Sequence, residues 1–259
     1  LCRAAVGRSA VAGGFPVTQS TLFPLLDTGV GVLLMCLLAA ISRPIANGKQ
    51  VTLDTPVAQL WQEFGQRDKG RITLGEVLQH RSGVLRPFPE DLTLKGFCSE
   101  ARMEQVLAGA LLPCTGDGPS RVLGSMAAAL LKRALGKRTA AEALQIMMQS
   151  LGLEEQITYR GPDRRMAHAG KKPRTSLSME KIWEFLEEKV DLVEAQAQSK
   201  KRALWLTWRE LASEKPGFTD PLLVNKDLVR NGTGSLPGRG LRASAEALCQ
   251  LYASELVPV

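Results

Sequence analysis

The chain runs to 259 residues, 44% of them apolar and 23% charged, with 24 glycines and 14 prolines. That balance excludes a disordered tail, a collagen-like repeat and a disulfide-stapled miniprotein, and it leaves enough apolar side chain for a sizeable core. A formal net charge of +7 allows an anionic partner but specifies none.

The five cysteines, at 2, 36, 98, 114 and 249, form no CxxC or CxxH pair, and only two histidines are present. Such spacing predicts reduced, buried thiols, no metal site and an intracellular protein. No apolar h-region opens the chain, so no signal peptide is read. The most apolar run, Val30 to Ile41, falls short of the roughly 20 residues that cross a bilayer, so no transmembrane segment is expected. The chain opens at Leu1 and closes at Pro258-Val259, and both ends read as cuts.

Residues 4–18 are small and β-permissive, with a turn at Gly13-Gly14. Thr28 is placed to cap a helix running to Ser42, which Pro44 and Asn47-Gly48 stop. That helix is apolar on nearly every side and is expected to be buried against the few strands. Val51 to Val57 is extended and enters a short helix carrying Val57, Leu60, Trp61 and Phe64. Thr73 caps a helix over Leu74 to His80 that ends at Ser82-Gly83. An amphipathic helix over 100–112 presents Met103, Val106, Leu107, Ala110 and Leu111, and a Gly/Pro loop follows at Thr115–Pro119.

Two helices, 122–135 and 139–151, are joined at Gly136-Lys137, and the second is closed by Leu151-Gly152-Leu153. After a basic loop at 160–174, residues 179–214 carry Ile182, Phe185, Leu186 and Val193 on one helical face. Pro216 to Gly240 reads as loop, and Ser244 to Leu256 as a last helix. Strands are scarce and concentrate near the N-terminus. The pattern predicts an α/β (α+β) class, helix-rich, with an incomplete antiparallel sheet because both ends are cut. It is read as one fragmentary domain, 1–259, with a mainly helical subdomain at 100–215.

Three stretches carry a resemblance. TLFPLL at 21–26 precedes the apolar helix. The run VTLDTPVAQLWQEFGQRDKGRITLGEVLQHRSGV at 51–84 has Leu-Asp-x-Pro-Val, a Trp/Phe helix, Ile-Thr, a two-turn helix and His-x-Ser-Gly in order. GRGLRASAEALCQLYAS at 238–254 joins a Gly-rich turn to a Ser/Ala-rich helix. Together they resemble the serine β-lactamase and penicillin-binding-protein superfamily, in its class C-like branch of esterases and peptidases. They also resemble plant and algal proteins that join an atypical kinase domain to a lactamase-like domain, which allows for a kinase domain upstream.

The resemblance implies a β-lactamase/transpeptidase-like fold with Ser-x-x-Lys at the start of the buried helix. The serine is the acyl nucleophile there, and the lysine one turn later eases loss of its proton. Here the two positions read Asp27 and Val30, and a one-residue shift gives Leu26 and Gly29. The family's Tyr-x-Asn falls within Gly118–Gly124, which places Ser120 at the tyrosine and Val122 at the asparagine. Its Lys-Thr-Gly or His-x-Gly element follows the helix that ends near Leu256, and so lies beyond the chain. No catalytic residue is expected, and no cofactor.

Other residues were weighed as substitutes. Ser178 and Lys181 spell Ser-x-x-Lys, but Ser178 is the natural N-cap of the next helix. His168-Ala169-Gly170 spells His-x-Gly in a loop before that helix, out of the family's order. His80, Ser82 and Gly83 read as a structural turn beneath the site, since residues two apart rarely meet as a dyad. Asp27 reads as a helix cap favoured by the dipole, not as a nucleophile. The basic run 160–174 has only Tyr159 as a neighbouring aromatic, so nucleic-acid binding is not expected. Trp205 and Trp208, with Leu204 and Leu211, have core spacing.

The leading reading is a degenerate β-lactamase-related domain that acts as a non-catalytic binding or structural module. The alternative is a fragment, or a wrongly joined exon form, of an active serine hydrolase. A third is a basic binder of anionic surfaces, which would show a steep salt dependence.

Overall fold

In the computed structural model the apolar run becomes α1 (Gly29–Ile41), with Val32, Leu33, Cys36 and Leu37 wholly buried. The structure describes residues 15–84, 88–89, 91–112, 122–159, 236–237 and 240–254. All belong to the unit formed by Leu1–Ala169 and Val224–Val259, while the unit Gly170–Leu223 lies outside the described residues. The extended segment at 4–14, the loop at 115–119, the basic run, the helix over 179–214 and the loop at 216–235 also fall outside them.

The main neighbours of α1 are helical, not the strands that sequence patterning suggested. It packs on α5 (Leu123–Ala134) and more lightly on α6 (Ala140–Gln149). The reason lies in α5, whose buried face is built from Gly124, Ala127, Ala128 and Leu131, small enough in its first turns for close approach. A methyl group added at Gly124 would sit 2.5 Å from the Pro237 carbonyl oxygen and 3.3 Å from Val30 Cγ2.

Between α1 and α5 lie three further helices: α2 (Leu74–Leu78), α3 (Leu94–Phe97) and α4 (Glu100–Gly109). Thr73 caps α2 in a full capping box with Glu76. Ser99, Thr139 and Ser244 cap α4, α6 and α7 (Ala245–Ala253) through their hydroxyls. Thr28 does not cap α1. Its backbone is already helical (φ −66°, ψ −23°), and its hydroxyl donates back to the Leu25 carbonyl.

The expected helix through Trp61 resolves into two 3-10 turns, Val57–Gln59 and Gln62–Gly65. Trp61 interrupts them with non-helical backbone (φ −139°, ψ 85°), and its ring packs against Phe64 at a centroid distance of 5.3 Å. The helix expected over 100–112 ends at Gly109, because Ala110 leaves the helical region (ψ 136°). Leu111 is therefore 67% exposed, not part of the buried face.

Strand placement also differs from expectation. Among the described residues three two-residue strands, β1 (Phe23–Pro24), β2 (Ile157–Thr158) and β3 (Arg242–Ala243), form an antiparallel sheet in the order β1-β3-β2. Ala243 faces Phe23 on one side and Ile157 on the other. Two of the three strands thus come from far down the chain. A ladder of two residues has no period for a sequence reading to detect. Helix exceeds strand among the described residues, as the α/β, helix-rich class requires.

Charge joins α4 to α5. Glu104 bonds Lys132 and, at 2.8 Å, Arg133, whose guanidinium lies 4.5 Å from the Trp61 ring centroid. Glu100 reaches Lys132 at 3.7 Å and accepts the Ala140 amide at 3.1 Å, so α4 helps to cap α6. Burial by itself would raise the Glu104 carboxyl, but the hydrogen bonds and charges of Arg133 and Lys132 hold it below the usual glutamate range.

Gly124→Ala forces its methyl into backbone and should cost about 2 kcal/mol, read as a lowered thermal midpoint. Glu104→Gln should cost about 2 kcal/mol at neutral pH by leaving two half-buried cations underpaired. Because the folded carboxyl has the lower pKa, its contribution is complete above the unfolded value and is lost as pH falls through the folded one. Unfolding titrations in denaturant from pH 7 downward should therefore show the variant's deficit shrinking in acid.

Candidate active site

The N-terminal end of α1 is where three helices and the sheet converge. The Leu25 amide donates to the Leu241 carbonyl at 2.8 Å, tying the segment before α1 to the residue that precedes the central strand. Leu26 follows in the left-handed region (φ 50°), a conformation costing a branched side chain roughly 1 kcal/mol. A 3-10 turn, Leu26–Thr28, then runs straight into α1. Asp27 lies exposed on that turn, and Val30 is half-buried one turn later.

Val122 stands at the N-cap position of α5, buried and without a polar side chain to cap it. Gly124, two residues on, meets Val30 at the distance given above, so the starts of α1 and α5 are adjacent. Ser120 lies outside the described residues, as do Ser178, Lys181 and His168.

Sequence reasoning missed Tyr252. Its phenol comes from α7, and a methyl group added at Gly31 would sit 3.0 Å from its hydroxyl oxygen. The ring is 58% exposed and stands over the first turn of α1. The only signal for it was its place in the 238–254 block, on a helix face opposite Ala247 and Leu251.

The His80–Gly83 segment is a helix stop. The Arg81 amide bonds the Glu76 carbonyl at 2.7 Å and the His80 amide bonds the Val77 carbonyl at 3.1 Å, the two bonds of a Schellman motif. His80 occupies its left-handed position (φ 60°), where glycine is usual. Ser82 is buried and its hydroxyl oxygen accepts the Val84 amide at 3.4 Å. Residue types chosen for a turn account for this segment without chemistry.

Could a thiol stand in for the serine? Cys36 lies in α1 but is wholly buried, and that burial pushes its thiol up to about 12. Burial likewise raises Cys98 to about 11. Neither supplies a thiolate near neutral pH. The expectation of buried thiols fails at Cys249, which is exposed on the outer face of α7.

The buried and half-buried lysines are engaged elsewhere. The Lys69 ammonium donates to the Ala108 and Ala110 carbonyls at 3.0 and 2.6 Å, and Lys132 serves Glu104 and Glu100. Among the described residues no group of three or more His, Cys, Asp or Glu is placed to hold a metal. No described helix is long and apolar enough to cross a membrane.

A family model described as Beta-lactamase matches residues 2–258. Solved structures similar in fold include a penicillin-binding protein homolog from Caulobacter crescentus, 24% identical, covering 67% of this chain and 46% of that one at a TM-score of 0.52. EstA from Arthrobacter nitroguajacolicus Rue61a is 20% identical, with coverage of 90% and 55% and a TM-score of 0.57. EstCE1, a hydrolase with promiscuous acyltransferase activity, is 15% identical, with coverage of 96% and 62% and a TM-score of 0.58. The chain thus spans roughly half the length of these structures, and at such identities the likeness establishes fold alone. No curated protein matches it.

Treated with a maleimide at pH 8 in its native state, the chain should label Cys249 quickly and Cys36 and Cys98 only after denaturant is added. Peptide mapping by mass spectrometry checks this.

Proposed function

The chain belongs to the β-lactamase family, and from that premise we propose that it is a β-lactamase-related domain that does not perform acyl transfer and serves as a binding or structural module. One observation carries the reading: at the start of α1 the side chain one turn beyond Asp27 is Val30, packed against α5 at Gly124. Acyl transfer in this family's manner needs a hydroxyl and a proton acceptor at that spacing. An isopropyl group can accept no proton, and an exposed carboxylate on the preceding turn is not an alkoxide source. Lys69 and Lys132 support the reading, since both ammonium groups are held by other partners. Ser120 and Val122 at the tyrosine and asparagine positions remove the second acid/base pair of the family pattern.

A second reading, an active serine hydrolase, draws on the fold likeness to EstCE1 and on the pair Ser178 and Lys181. Reaction of the purified chain with a fluorophosphonate or a β-lactam separates the two. No covalent adduct is expected on any serine. Stoichiometric labelling of Ser178, abolished by Lys181→Ala, would overturn the non-catalytic reading in favour of the hydrolase. Sequencing the transcript across residues 20–50 tests whether a serine and a lysine belong where Asp27 and Val30 stand.

A further inference from the structure

Lys69 is the one lysine among the described residues with no exposed surface. Its described partners are two carbonyls and a ring rather than a carboxylate. The ammonium donates to the Ala108 and Ala110 carbonyls, the orphan acceptors at the C-terminal end of α4, and lies 5.5 Å from the Phe64 ring centroid. A positive charge there also suits the negative end of the helix dipole.

The backbone that delivers Lys69 is unusual. Arg67 and Asp68 are both left-handed (φ 55° and 64°), and the Lys69 amide closes the turn on the Gln66 carbonyl at 3.3 Å. Two consecutive left-handed residues suit Asn-Gly, not Arg-Asp, so something outside the turn must hold it. On the far side of the contact the chain leaves α4 at Ala110, and Leu112 packs where a methyl at Gly83 would be 3.2 Å from its Cδ2.

We propose that Lys69 is a conformational latch: its ammonium holds the strained Gln66–Lys69 turn and the end of α4 in one arrangement, and so sets the path by which residues 110–112 reach the His80–Gly83 turn. Burial lowers the Lys69 pKa, with Arg67 as a lesser cause. The latch does not depend on whether the domain is catalytic.

Lys69→Met keeps the stem and removes the ammonium, so it separates the bonds from the packing. Under native conditions thermolysin should cut the variant between Ala110 and Leu111 roughly tenfold faster than the parent chain. Cleavage within α1 and α5 should change far less. Asp68→Gly relaxes the turn but leaves the ammonium in place, and should keep the Ala110–Leu111 bond as slow as in the parent. An unchanged rate in Lys69→Met would mean that only the stem matters, and would overturn the latch. Acceleration at all sites alike, in step with a lowered global stability measured in denaturant, would overturn it too.

Discussion

The close approach of α1 and α5 is the constraint on which the remaining structure turns. α1 is apolar on nearly every side and has no polar stripe to give to water, so it must be enclosed. Gly124 lets α5 come near enough that the Pro237 carbonyl and the Val30 side chain occupy the space a side chain would need. That contact gathers three distant pieces of chain: the start of α1, the start of α5, and Pro237, which lies shortly before the central strand. Among the described residues the sheet fastens these pieces, and the helices enclose the core.

Polar interactions are placed where the helix pair leaves ends unsatisfied. Glu100 and Glu104 bridge α4 to α5 and α6, and Lys69 satisfies the last carbonyls of α4. Lys69, Lys132 and Arg133 are each answered by a nearby acceptor, at a helix end or on an adjoining helix. At the start of α1 stand the exposed Asp27, a half-buried Val30 that meets Gly124 of α5 and, over Gly31, the phenol of Tyr252. Family membership and the absence of acyl transfer proposed above are compatible, because different residues bear on each. The enclosing helices carry the fold, and the proposed function turns on two side chains at one helix start.

Much of the helical framework was legible in the sequence. Thr73 with Glu76, Ser99, Thr139 and Ser244 mark helix starts by a local hydrogen bond that needs only residues three apart. Gly136 and Gly152 mark helix ends by a backbone conformation other residues resist. Where a local rule met a tertiary demand, it lost. Thr28 has the right residue type for a cap, but the 3-10 turn entering α1 gives it helical dihedrals that point its hydroxyl backwards. Trp61 breaks a helical pattern with non-helical backbone, and its buried ring lies beside Phe64 and Arg133.

The sequence by itself determined the enclosed helix, most helix boundaries and the family. Those are properties of single residues or of short spacings. Only the tertiary structure decided that α5 rather than the sheet covers α1, that residues 157–158 and 242–243 are strands, that Tyr252 stands over Gly31, and that Lys69 is buried at the end of α4. Each of these joins residues tens to hundreds of positions apart. Two-residue strands carry no repeat, an exposed tyrosine carries no pattern, and the inward turn of a lysine depends on unsatisfied carbonyls that exist only once α4 has ended where it does.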